Sequence, residues 1–345
     1  MIYPETAQIR EILDVAQRVV IIQADNPDGD SLGSALALEH LLGDLGKEPI
    51  LYCGVDIPSY LTYLEGWDRV VHELPTQFDV SIIVDTSADS LLESLTQADR
   101  ARLASRPCII IDHHATEATI TFATVNCNHP AVATGEIIYE LAKQIGWQLN
   151  LEAKKMIATS IMADSLGLVT EATSARSIHI IAELVESGVK LAELEHERRM
   201  LMRKSAELVK YKGELLQRID YSADGRIAIV WIPWKEIEEY SPQYNPSMLV
   251  MEDMRMTTGV QVAIAFKVYK DGKITGKIRC NQDAPIGAQL AEHFGGGGHL
   301  YASGFKTQRG RPFNEVKSEC IGYATELLDK LQREPNNETI QHTFA

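Results

Sequence analysis

Two adjacent histidines preceded by an aspartate form the densest group of chemically active side chains in the sequence. Asp112, His113 and His114 directly follow the β-branched run Ile109–Ile111, which is typical of a strand buried on both faces of a parallel sheet. Imidazole nitrogens and carboxylate oxygens bind divalent metals and exchange protons near neutral pH. Ligands of open α/β sheets bind at the carboxyl ends of the strands, so we expect a site at this point.

Four other aspartates lie where the same chemistry is possible. Asp28 and Asp30 follow the first predicted strand, Asp85 ends the third, and Asp164 lies near the end of a predicted helix. Together with His113 they suit a pair of Mn²⁺ or Mg²⁺ ions. Two ions about 3.5–4 Å apart can share one carboxylate, polarise a phosphoryl group and lower the pKa of a bridging water.

The Asp-Gly-Asp spacing by itself has two other interpretations. Turns are rich in this tripeptide, and an EF-hand loop also contains it. A turn at Gly29 lets the two carboxylates diverge from one loop, one towards each ion. An EF-hand is disfavoured because the residues after Asp30 are apolar and helical where further ligands would be needed.

A glycine-rich segment near the carboxyl end is the second chemical signal. Gly296, Gly297 and Gly298 end a run of four glycines that leads into His299. Such a run lets the backbone approach a ligand closely, and its N–H groups can bind an anion, although a flexible loop is an equally good interpretation. Arg279, at the end of a predicted strand, offers a bidentate fork for phosphate.

The elements around these residues alternate between strands and helices, which predicts a doubly wound, mostly parallel sheet. Its predicted strands are 19–22, 49–53, 80–84 and 109–111, and its helices are 5–17, one capped by Ser31, 133–146, 151–166 and 174–187. Residues 191–217 are rich in charge and predict one connecting helix. A smaller α/β domain with a mixed sheet follows, with strands 227–231, 260–268 and 273–279, a hairpin at Asp271-Gly272, and helices 286–294 and 314–331.

Composition limits the possible functions. The chain has 345 residues, 45% of them hydrophobic, and a formal net charge of −15. Such an acidic protein has no broad basic surface for long nucleic acid. The five scattered cysteines lack metal-site spacing, no apolar run is long enough to span a bilayer, and the amino terminus has no signal pattern. These features predict a reduced, cytoplasmic protein with no membrane partner.

The order of the motifs resembles the DHH phosphoesterase family, in the branch with a DHH-associated carboxy-terminal domain. The resemblance covers about residues 19 to 305, and its layout is similar to the small oligoribonucleases that also dephosphorylate pAp. The motifs that carry it are Asn-Pro-Asp-Gly-Asp-Ser-Leu-Gly-Ser (26–34), Val-Asp-Thr-Ser (84–87), Asp-His-His (112–114), Ala-Asp-Ser (163–165) and Gly-Gly-Gly-Gly-His (295–299).

The resemblance implies a role for each predicted metal ligand. Asp28 would bind a first Mn²⁺ or Mg²⁺ ion and Asp30 a second, with Asp85 bridging both. His113 and Asp164 would complete the second site. One departure weakens the first site, because members of the family usually place a metal-binding histidine where this chain has Ala24.

The resemblance also implies roles beyond the metal ions. Asp112 would orient the histidine ligands and His114 would contact the scissile phosphate. Arg279, the backbone of Gly296–Gly298 and His299 would hold a terminal phosphate or base of a short nucleotide. The fourth motif departs from the Asp-Thr-Gly of many relatives, because Asp164 is followed by Ser-Leu-Gly.

Three functions remain open from the sequence, and the third of them is a cyclic-dinucleotide or linear-dinucleotide phosphodiesterase or a pyrophosphatase-like enzyme. The first is a phosphodiesterase or exoribonuclease that hydrolyses short RNA oligonucleotides or dinucleotides such as pApA, and the 3′-phosphate of pAp. The alternative is a degenerate relative that binds nucleotides with little hydrolysis because of Ala24. The expected domains are a metal-binding domain at 1–190, the linker at 191–217, a substrate-binding domain at 218–333 and a flexible tail at 334–345. The resemblance makes a homodimer plausible.

Overall fold

The computed structural model describes residues 2–115 and 118–333. They form two compact units, which meet in the sequence between Arg203 and Lys204. Both units combine helices with a sheet, so the predicted α/β class is confirmed. The expected tail at 334–345 lies outside the described residues.

The first unit alternates strands and helices along most of its length. Its elements are α1 (Thr6–Val15), β1 (Arg18–Ile22), α2 (Gly29–Asp44), β2 (Glu48–Tyr52), β3 (Val80–Val84), α3 (Gln97–Ala104), β4 (Cys108–Asp112), β5 (Val125–Asn128), α4 (Thr134–Ile145), α5 (Leu151–Asp164), α6 (Ala175–Glu186) and α7 (Leu191–Leu201). The predicted strands are confirmed to within one residue, whereas α3 and β5 were not predicted.

The five strands of this unit form one parallel sheet in the order β2-β1-β3-β4-β5. One face packs Val19 and Ile21 of β1 against helices α2, α4 and α5, and the other face packs Val20 and Ile22 against a smaller cluster that includes Leu103 of α3. Helices therefore cover both faces, as a doubly wound sheet requires. The strand order reverses between β1 and β3, and such a switch point is where ligands of this architecture bind.

Helix α2 begins three residues earlier than the sequence predicted. Asp28, not Ser31, is the N-cap, and its side chain accepts hydrogen bonds from the N–H groups of Asp30 and Ser31. Ser31 Oγ in turn accepts from the N–H of Asp28, which completes a capping box. The prediction of Ser31 as the cap was wrong because both residues are good caps and only the loop geometry selects between them.

Close contact between α2 and α5 brings two predicted ligands to one place. A Cβ atom on Gly29 would lie 2.6 Å from the Cβ of Ala163, so only glycine permits this approach. Gly29 directly precedes Asp30, and Ala163 directly precedes Asp164. The small residue at position 29 thus sets the distance between the start of one helix and the end of the other.

The segment 191–217 is two helices, not the single connecting helix predicted. α7 ends at Leu201, and α8 (Ala206–Gln217) begins after Ser205, whose side chain accepts a hydrogen bond from Leu208 N. The break follows from this cap and from burial, because Leu208, Tyr211 and Leu215 of α8 pack into a core of the second unit. The many charged residues of this segment obscured the cap at Ser205 and the apolar face of α8, so the sequence pattern predicted a single helix.

The second unit is a mixed six-stranded sheet in the order β10-β11-β9-β8-β7-β6. Only β7 and β8 are parallel, and all other pairs are antiparallel. Besides α8, its elements are β6 (Asp220–Ser222), β7 (Ile227–Ile232), α9 (Trp234–Tyr240), α10 (Pro246–Arg255), β8 (Val262–Val268), β9 (Ile274–Cys280), α11 (Gly287–His293), β10 (Gly297–Gly298), β11 (Ala302–Lys306) and α12 (Phe313–Arg333). The predicted mixed sheet and the hairpin at Asp271-Gly272 are confirmed.

Helices cover the second sheet on both faces as well. Ile264 and Phe266 of β8 point to the face covered by α11 and α12, whereas Ala263 and Ala265 point to the face covered by α8, α9 and α10. In the part of the chain that the structure describes, no helix combines the length and the apolar character needed to cross a membrane.

Candidate metal centre

His113 lies at the centre of the predicted ligand set. Its Nδ1 is 3.1 Å from the carbonyl oxygen of Ala131, which places the ring proton on Nδ1 and leaves Nε2 as the ligand atom. Nε2 is 3.4 Å from Oδ2 of Asp30 and 3.3 Å from both Oδ1 of Asp85 and Oδ2 of Asp164. Together these four side chains, of Asp30, Asp85, His113 and Asp164, form what we call the acidic cluster.

The acidic cluster fits a divalent metal ion. His113 Nε2 is buried and has no hydrogen-bond partner among the described residues, although three carboxylate oxygens surround it. A buried polar atom without a partner is unfavourable unless something else satisfies it. Ligand atoms at about 2.1 Å from one ion and at right angles to each other lie about 3 Å apart, close to the spacing found here.

In the metal-free cluster, the raised pKa values of His113 and Asp85 favour bound protons, which supply the positive charge that a metal ion would otherwise provide. Burial by itself lowers the pKa of His113, but the carboxylates of Asp164 and Asp85 outweigh burial and raise this pKa to about 11. Burial, followed by the charge of Asp30, raises the pKa of Asp85 well above its usual range. Both shifts have the direction expected where several carboxylates share a dry site. A metal ion would release these protons.

Asp30 is the most firmly held member of the cluster. Its side chain is fully buried, and Oδ1 accepts hydrogen bonds from Ser34 Oγ at 2.9 Å, Ser160 Oγ at 2.5 Å and Gly135 N at 3.4 Å. Oδ2 accepts from Thr134 N at 2.7 Å. These donors come from α2, α4 and α5, so three helices fix the orientation of one carboxylate. Such fixed surroundings are typical of ligand-binding carboxylates.

Asp85 occupies a strained backbone conformation. Its φ angle is +61°, in the left-handed region that non-glycine residues adopt at a cost of about 1–2 kcal/mol. Its N–H still bonds the carbonyl of Ile111, and Thr134 Oγ1 donates to its Oδ1 at 3.1 Å. The pleat of β3 would otherwise direct this side chain to the sheet face opposite His113. The left-handed turn therefore redirects the carboxylate towards the cluster.

Asp112 and His114 form a pair beside the cluster. Oδ1 of Asp112, which is fully buried, accepts from His114 N at 3.1 Å and contacts its Nδ1 at 2.8 Å. This hydrogen bond raises the pKa of His114. Burial by itself raises the pKa of Asp112, but hydrogen bonds from His114 and Ser87 outweigh burial and lower this pKa. The sequence predicted that Asp112 orients both histidines, whereas the structure shows that Ala131 holds His113 and Asp112 holds His114.

Asp28 stands apart from the other predicted ligands. Three groups of side chains among residues 2–115 and 118–333 have ligand atoms within 4.8 Å of each other, and none of them includes Asp28. Two of these groups contain His113, one with Asp30 and Asp164 and the other with Asp85 and His114. Its Oδ1 is engaged in capping α2. Burial raises the pKa of Asp28.

The segment before Asp28 shows no replacement for the missing histidine. Ala24 is buried, and its carbonyl accepts a hydrogen bond from Cys53 Sγ. Asp25 points elsewhere, because its carboxylate accepts hydrogen bonds from the N–H and Oγ of Ser94. Gln23 is fully buried, and its amide atoms have no hydrogen-bond partner in the described part of the chain.

The third group of possible ligands lies elsewhere in the first unit and was not predicted. Atoms of Glu5, Cys127 and His129 lie within 4.8 Å of each other. His129 Nε2 is already hydrogen-bonded to Glu5 at 2.9 Å, and burial raises the pKa of the Cys127 thiol to about 12. A thiol with such a pKa is protonated at neutral pH and is a poor ligand, so this group is a hydrogen-bonded pair beside a core cysteine.

The predicted substrate-binding residues all lie in the second unit. Gly297 and Gly298 form β10 and pair with β11, so the predicted loop is partly a strand. A Cβ atom on Gly296 would lie 2.2 Å from the carbonyl oxygen of Gly304, so glycine is required here for strand packing. The N–H of Gly296 bonds Ala291 and is not free for an anion. Sequence reasoning missed this because packing and anion binding use the same glycine pattern.

Arg279 and His299 are accessible to a ligand. Arg279 lies on β9, is half-buried, and donates from Nη1 to the carbonyl of Ile278. His299 is exposed at the turn between β10 and β11, and its backbone forms hydrogen bonds with Ala302. Neither side chain has an acidic partner in the described ranges. Both are available for a phosphate.

Sequence reasoning missed several residues that hold the cluster in place. They are Ser34, Asn128, Ala131, Thr134 and Ser160. Only Ser34 had a usable signal, because it lies four residues after Asp30 on the same helix and thus on the same face. The others come from α4, α5 and the segment around β5, whose proximity to Asp30 depends on the fold.

Comparisons with known proteins agree with this geometry. Residues 18–173 match the model of the DHH family, N-terminal domain. The bifunctional oligoribonuclease and PAP phosphatase NrnA of Bacillus subtilis (strain 168) is 25% identical over 304 residues, which cover 87% of this chain and 92% of that protein.

Two solved structures show the same fold. An exopolyphosphatase-related protein from Bacteroides fragilis has a TM-score of 0.80 and 22% identity, covering 94% of this chain and 97% of that one. RecJ in complex with Mn²⁺ from Thermus thermophilus has a TM-score of 0.52 and 18% identity, covering 93% of this chain and 54% of that one. The resemblance inferred from the motifs is therefore confirmed: residues 18–173 are similar to the N-terminal domain of the DHH family, and they include all five predicted metal ligands.

Proposed function

We propose that this protein is a metal-dependent phosphoesterase that hydrolyses short oligoribonucleotides and dinucleotides such as pApA, and also the 3′-phosphate of pAp. The observation that carries the proposal is the unpartnered Nε2 of His113 among three carboxylate oxygens. The relative from Bacillus subtilis, named as an oligoribonuclease and PAP phosphatase, supports this choice of substrates.

The donor set favours Mn²⁺ or Mg²⁺. Three carboxylates and one imidazole make a hard-to-borderline site, and the related RecJ structure contains Mn²⁺. Asp30, Asp85, His113 and Asp164 would hold the ion. When bound, such an ion supplies an activated water and positive charge for the phosphoryl oxygens.

His114 and Asp112 have a separate task in the proposed reaction. Asp112 holds the proton on Nδ1 of His114 and raises the pKa of the ring, which favours an imidazolium. The ring is 46% exposed, so its Nε2–H can donate to an oxygen of the scissile phosphate. Asn128 steadies the pair by donating to the carbonyl of His114 at 3.0 Å.

Ala24 and Asp28 bear on how many ions bind and how tightly each is held. We propose two sites of unequal strength. The acidic cluster would hold the tighter ion, and Asp85 with Asp28, whose Oδ1 caps α2, would hold the weaker one. Ala24 offers no ligand atom to this weaker site. Titration of the metal-free protein with Mn²⁺, followed by calorimetry, should show one tight and one weak binding event.

Arg279 and His299 are the proposed contacts for the terminal phosphate or base. Both side chains are accessible, and an arginine fork matches two phosphate oxygens. Gly296, Gly297 and Gly298 contribute by shaping the turn that presents His299. A short substrate also agrees with a net charge of −15, since a long nucleic acid would meet repulsion along its length.

The proposal is tested with pApA and pAp as substrates. With Mn²⁺, hydrolysis should exceed the rate in EDTA at least about 100-fold, and Asp164→Asn should abolish the difference. Asp56→Asn is the matched control, because it removes a fully exposed carboxylate from the same unit. Absence of hydrolysis of both substrates, with Mn²⁺ bound, would refute the proposal.

The alternative is a nucleotide-binding protein with little hydrolytic activity, and the observation that favours it is Ala24. Measurable binding of pApA without turnover would support it. Ala24→His should then raise both the affinity for the weaker ion and the rate. If Ala24→His folds normally, as judged by circular dichroism, and changes neither quantity, the assigned role of this position is wrong.

A further inference from the structure

Exposure to solvent is uneven around the acidic cluster. The side chains of Asp30 and Asp85 are buried, whereas that of Asp164 is 28% exposed. His114, which lies beside the cluster, is more exposed still. A substrate therefore approaches the cluster from the side of Asp164 and His114, and the residues that directly follow Asp164 lie near this entrance.

The segment after Asp164 is an apolar loop whose backbone is held in place. We call residues 165–170 the apolar loop. Ser165 is fully buried, and its Oγ accepts a hydrogen bond from the N–H of Leu168 at 2.8 Å. The carbonyl oxygen of Ser165 accepts another from the N–H of Val169 at 2.9 Å. These hydrogen bonds fix the loop to the end of the helix that carries Asp164.

Two leucines of the apolar loop have left-handed backbone conformations. The φ angle is +49° at Leu166 and +70° at Leu168. Bulky residues rarely adopt this region, because their Cβ atom comes too close to a carbonyl oxygen. The strain at Leu168 is offset by packing, since its side chain contacts the core of the first unit. Leu166 lacks this compensation, because it is 73% exposed.

Stability alone does not favour leucine at position 166. Glycine adopts a positive φ angle without steric cost, and asparagine tolerates it well. Leu166 also exposes apolar surface to water, as does the neighbouring Val169. Strained backbone and exposed apolar surface are both typical of binding sites. Leu166 and Val169 therefore indicate an apolar ligand group beside the metal centre.

We propose that Leu166 and Val169 contact the base of the nucleotide whose phosphate lies at the acidic cluster. Consecutive Cα atoms are about 3.8 Å apart, so Leu166 starts within about 8 Å of the Cα atom of Asp164. A base lies at a comparable distance from its own phosphate and has two apolar faces. The choice of a base as the occupant rests on the proposed function, whereas the strain and the exposure do not.

The first test compares two ligands that differ only in the base. AMP and ribose 5-phosphate carry the same phosphate, and calorimetry in Mn²⁺ and in EDTA gives the metal-dependent part of each affinity. Leu166→Gly should weaken the metal-dependent binding of AMP about fivefold, as expected when a partly covered leucine is lost. It should leave the binding of ribose 5-phosphate unchanged. Leu166→Met keeps an apolar side chain and should bind AMP like the unaltered protein.

Steady-state kinetics with pApA separate substrate contact from a structural role. Leu166→Gly should raise KM about fivefold with little change in kcat, because the contact is equally strong in the ground state and the transition state. Its Mn²⁺ affinity should stay unchanged, whereas a leucine that positions Asp164 would affect both kcat and Mn²⁺ affinity. Val15→Ser removes another exposed apolar side chain from the same unit and is the matched control.

Thermal melting tests the strain itself. In EDTA, Leu166→Gly should raise the melting temperature by about 1–3 °C, because glycine relieves the left-handed conformation. Leu166→Asn should also melt no lower than the unaltered protein, and it should lose AMP affinity to the same extent. A variant that is more stable but binds AMP more weakly is therefore the expected result.

Four outcomes would overturn the inference. They are an absence of metal-dependent AMP binding, equal weakening of AMP and ribose 5-phosphate, a lower melting temperature of Leu166→Gly, and an AMP affinity that this variant leaves unchanged. In the last case, sedimentation that shows a dimer only with Leu166 present would assign the apolar loop to a second copy of this chain.

The inference and the proposed function fail separately. Normal hydrolysis of pApA with an unchanged AMP affinity in Leu166→Gly refutes only the role of the apolar loop. Weakened AMP binding in this variant, with no hydrolysis of pApA or pAp by the unaltered protein, supports the apolar loop and refutes the proposed function.

Discussion

The acidic cluster and the apolar loop differ in chemistry but are alike in one respect. In the acidic cluster, three carboxylates surround the unpartnered Nε2 of His113. In the apolar loop, Leu166 combines a left-handed φ angle with an exposed side chain. Features that a folded protein maintains at a cost in free energy indicate a ligand. Composition reveals neither site, because it records neither burial nor backbone conformation.

The two sites differ in the kind of contact that they offer. Hydrogen bonds from α2, α4 and α5 fix the carboxylate of Asp30. By contrast, Leu166 offers an exposed aliphatic side chain. Fixed geometry suits a metal ion, whose ligands must lie at set distances, whereas an apolar contact is non-directional and accepts bases of different shape.

The largest expected effect comes from removing a central charge of the acidic cluster. Asp85→Asn should lower the rate of pApA hydrolysis at least about 100-fold, because Asp85 is shared by both proposed ion sites. Calorimetry should show a matching loss of Mn²⁺ affinity. Leu166→Gly in the apolar loop should leave Mn²⁺ affinity unchanged. If Asp85→Asn keeps full activity, the ions do not bind here.

The metal-free protein should lose stability as the pH rises. The pKa of His113 is about 11 in the folded chain and about 6.5 in an unfolded one, so the folded state holds one more proton between these values. Its contribution to the free energy of unfolding is complete below about pH 6.5 and declines as the pH rises towards about 11. In EDTA, the melting temperature should therefore fall from about pH 6.5 to about pH 9.5.

Two further measurements sharpen this pH dependence. Saturating Mn²⁺ should reverse the trend, because metal binding displaces the proton and becomes tighter as the pH rises. His113→Asn keeps a donor towards the carbonyl of Ala131 but removes Nε2, and it should flatten the decline in EDTA. An unchanged pH slope in His113→Asn would show that another group is responsible.

A smaller effect is expected from the hydroxyl that positions Asp30. Ser160→Ala removes the 2.5 Å hydrogen bond to Oδ1 of Asp30 and leaves Gly135 N with only its longer, 3.4 Å contact to the same oxygen. We expect a loss of about 1–3 kcal/mol in the free energy of unfolding and about tenfold weaker Mn²⁺ binding. Urea unfolding and calorimetry measure the two losses. Ser31→Ala, at the cap of α2, is a control that should affect stability more than metal binding.

The smallest effect separates two roles of Asp28. Asp28→Ala should destabilise the protein by about 1 kcal/mol through loss of the N-cap, whereas Asp28→Asn should cost only a few tenths because asparagine caps equally well. Both variants remove the proposed weak-ion ligand and should abolish the second calorimetric event alike. A tight-ion affinity that falls with either variant would place Asp28 in the acidic cluster instead.

Local patterns were sufficient for most of the secondary structure. The run Ile109–Ile111 and the segment 19–22 are continuous and apolar, and 80–84 is apolar except for Ser81. This pattern is typical of central parallel strands, and all three segments are strands. The strand Val125–Asn128 was missed because its exposed edge position breaks that pattern. The connecting helix was predicted as one element because charge concealed the buried face of α8.

Local patterns were less informative about how the site residues are oriented. Asp85 follows a predicted strand, but no sequence pattern predicts that an aspartate at this position adopts a left-handed φ angle. The glycines before His299 suggested anion binding, whereas Gly296 serves strand packing. In both positions the neighbouring element decides the outcome, and that element is distant in sequence.

The sequence by itself identified the candidate metal ligands and the edge of the sheet at which they lie. Motif order and strand polarity place Asp30, Asp85 and His113 after parallel strands, and parallel strands end at a common edge. Only the tertiary structure decided that Asp28 is a helix cap and that Leu168 packs against the core while Leu166 is exposed. These outcomes depend on contacts between segments far apart in the chain, where charge, burial and hydrogen bonding are set by the neighbours that folding supplies.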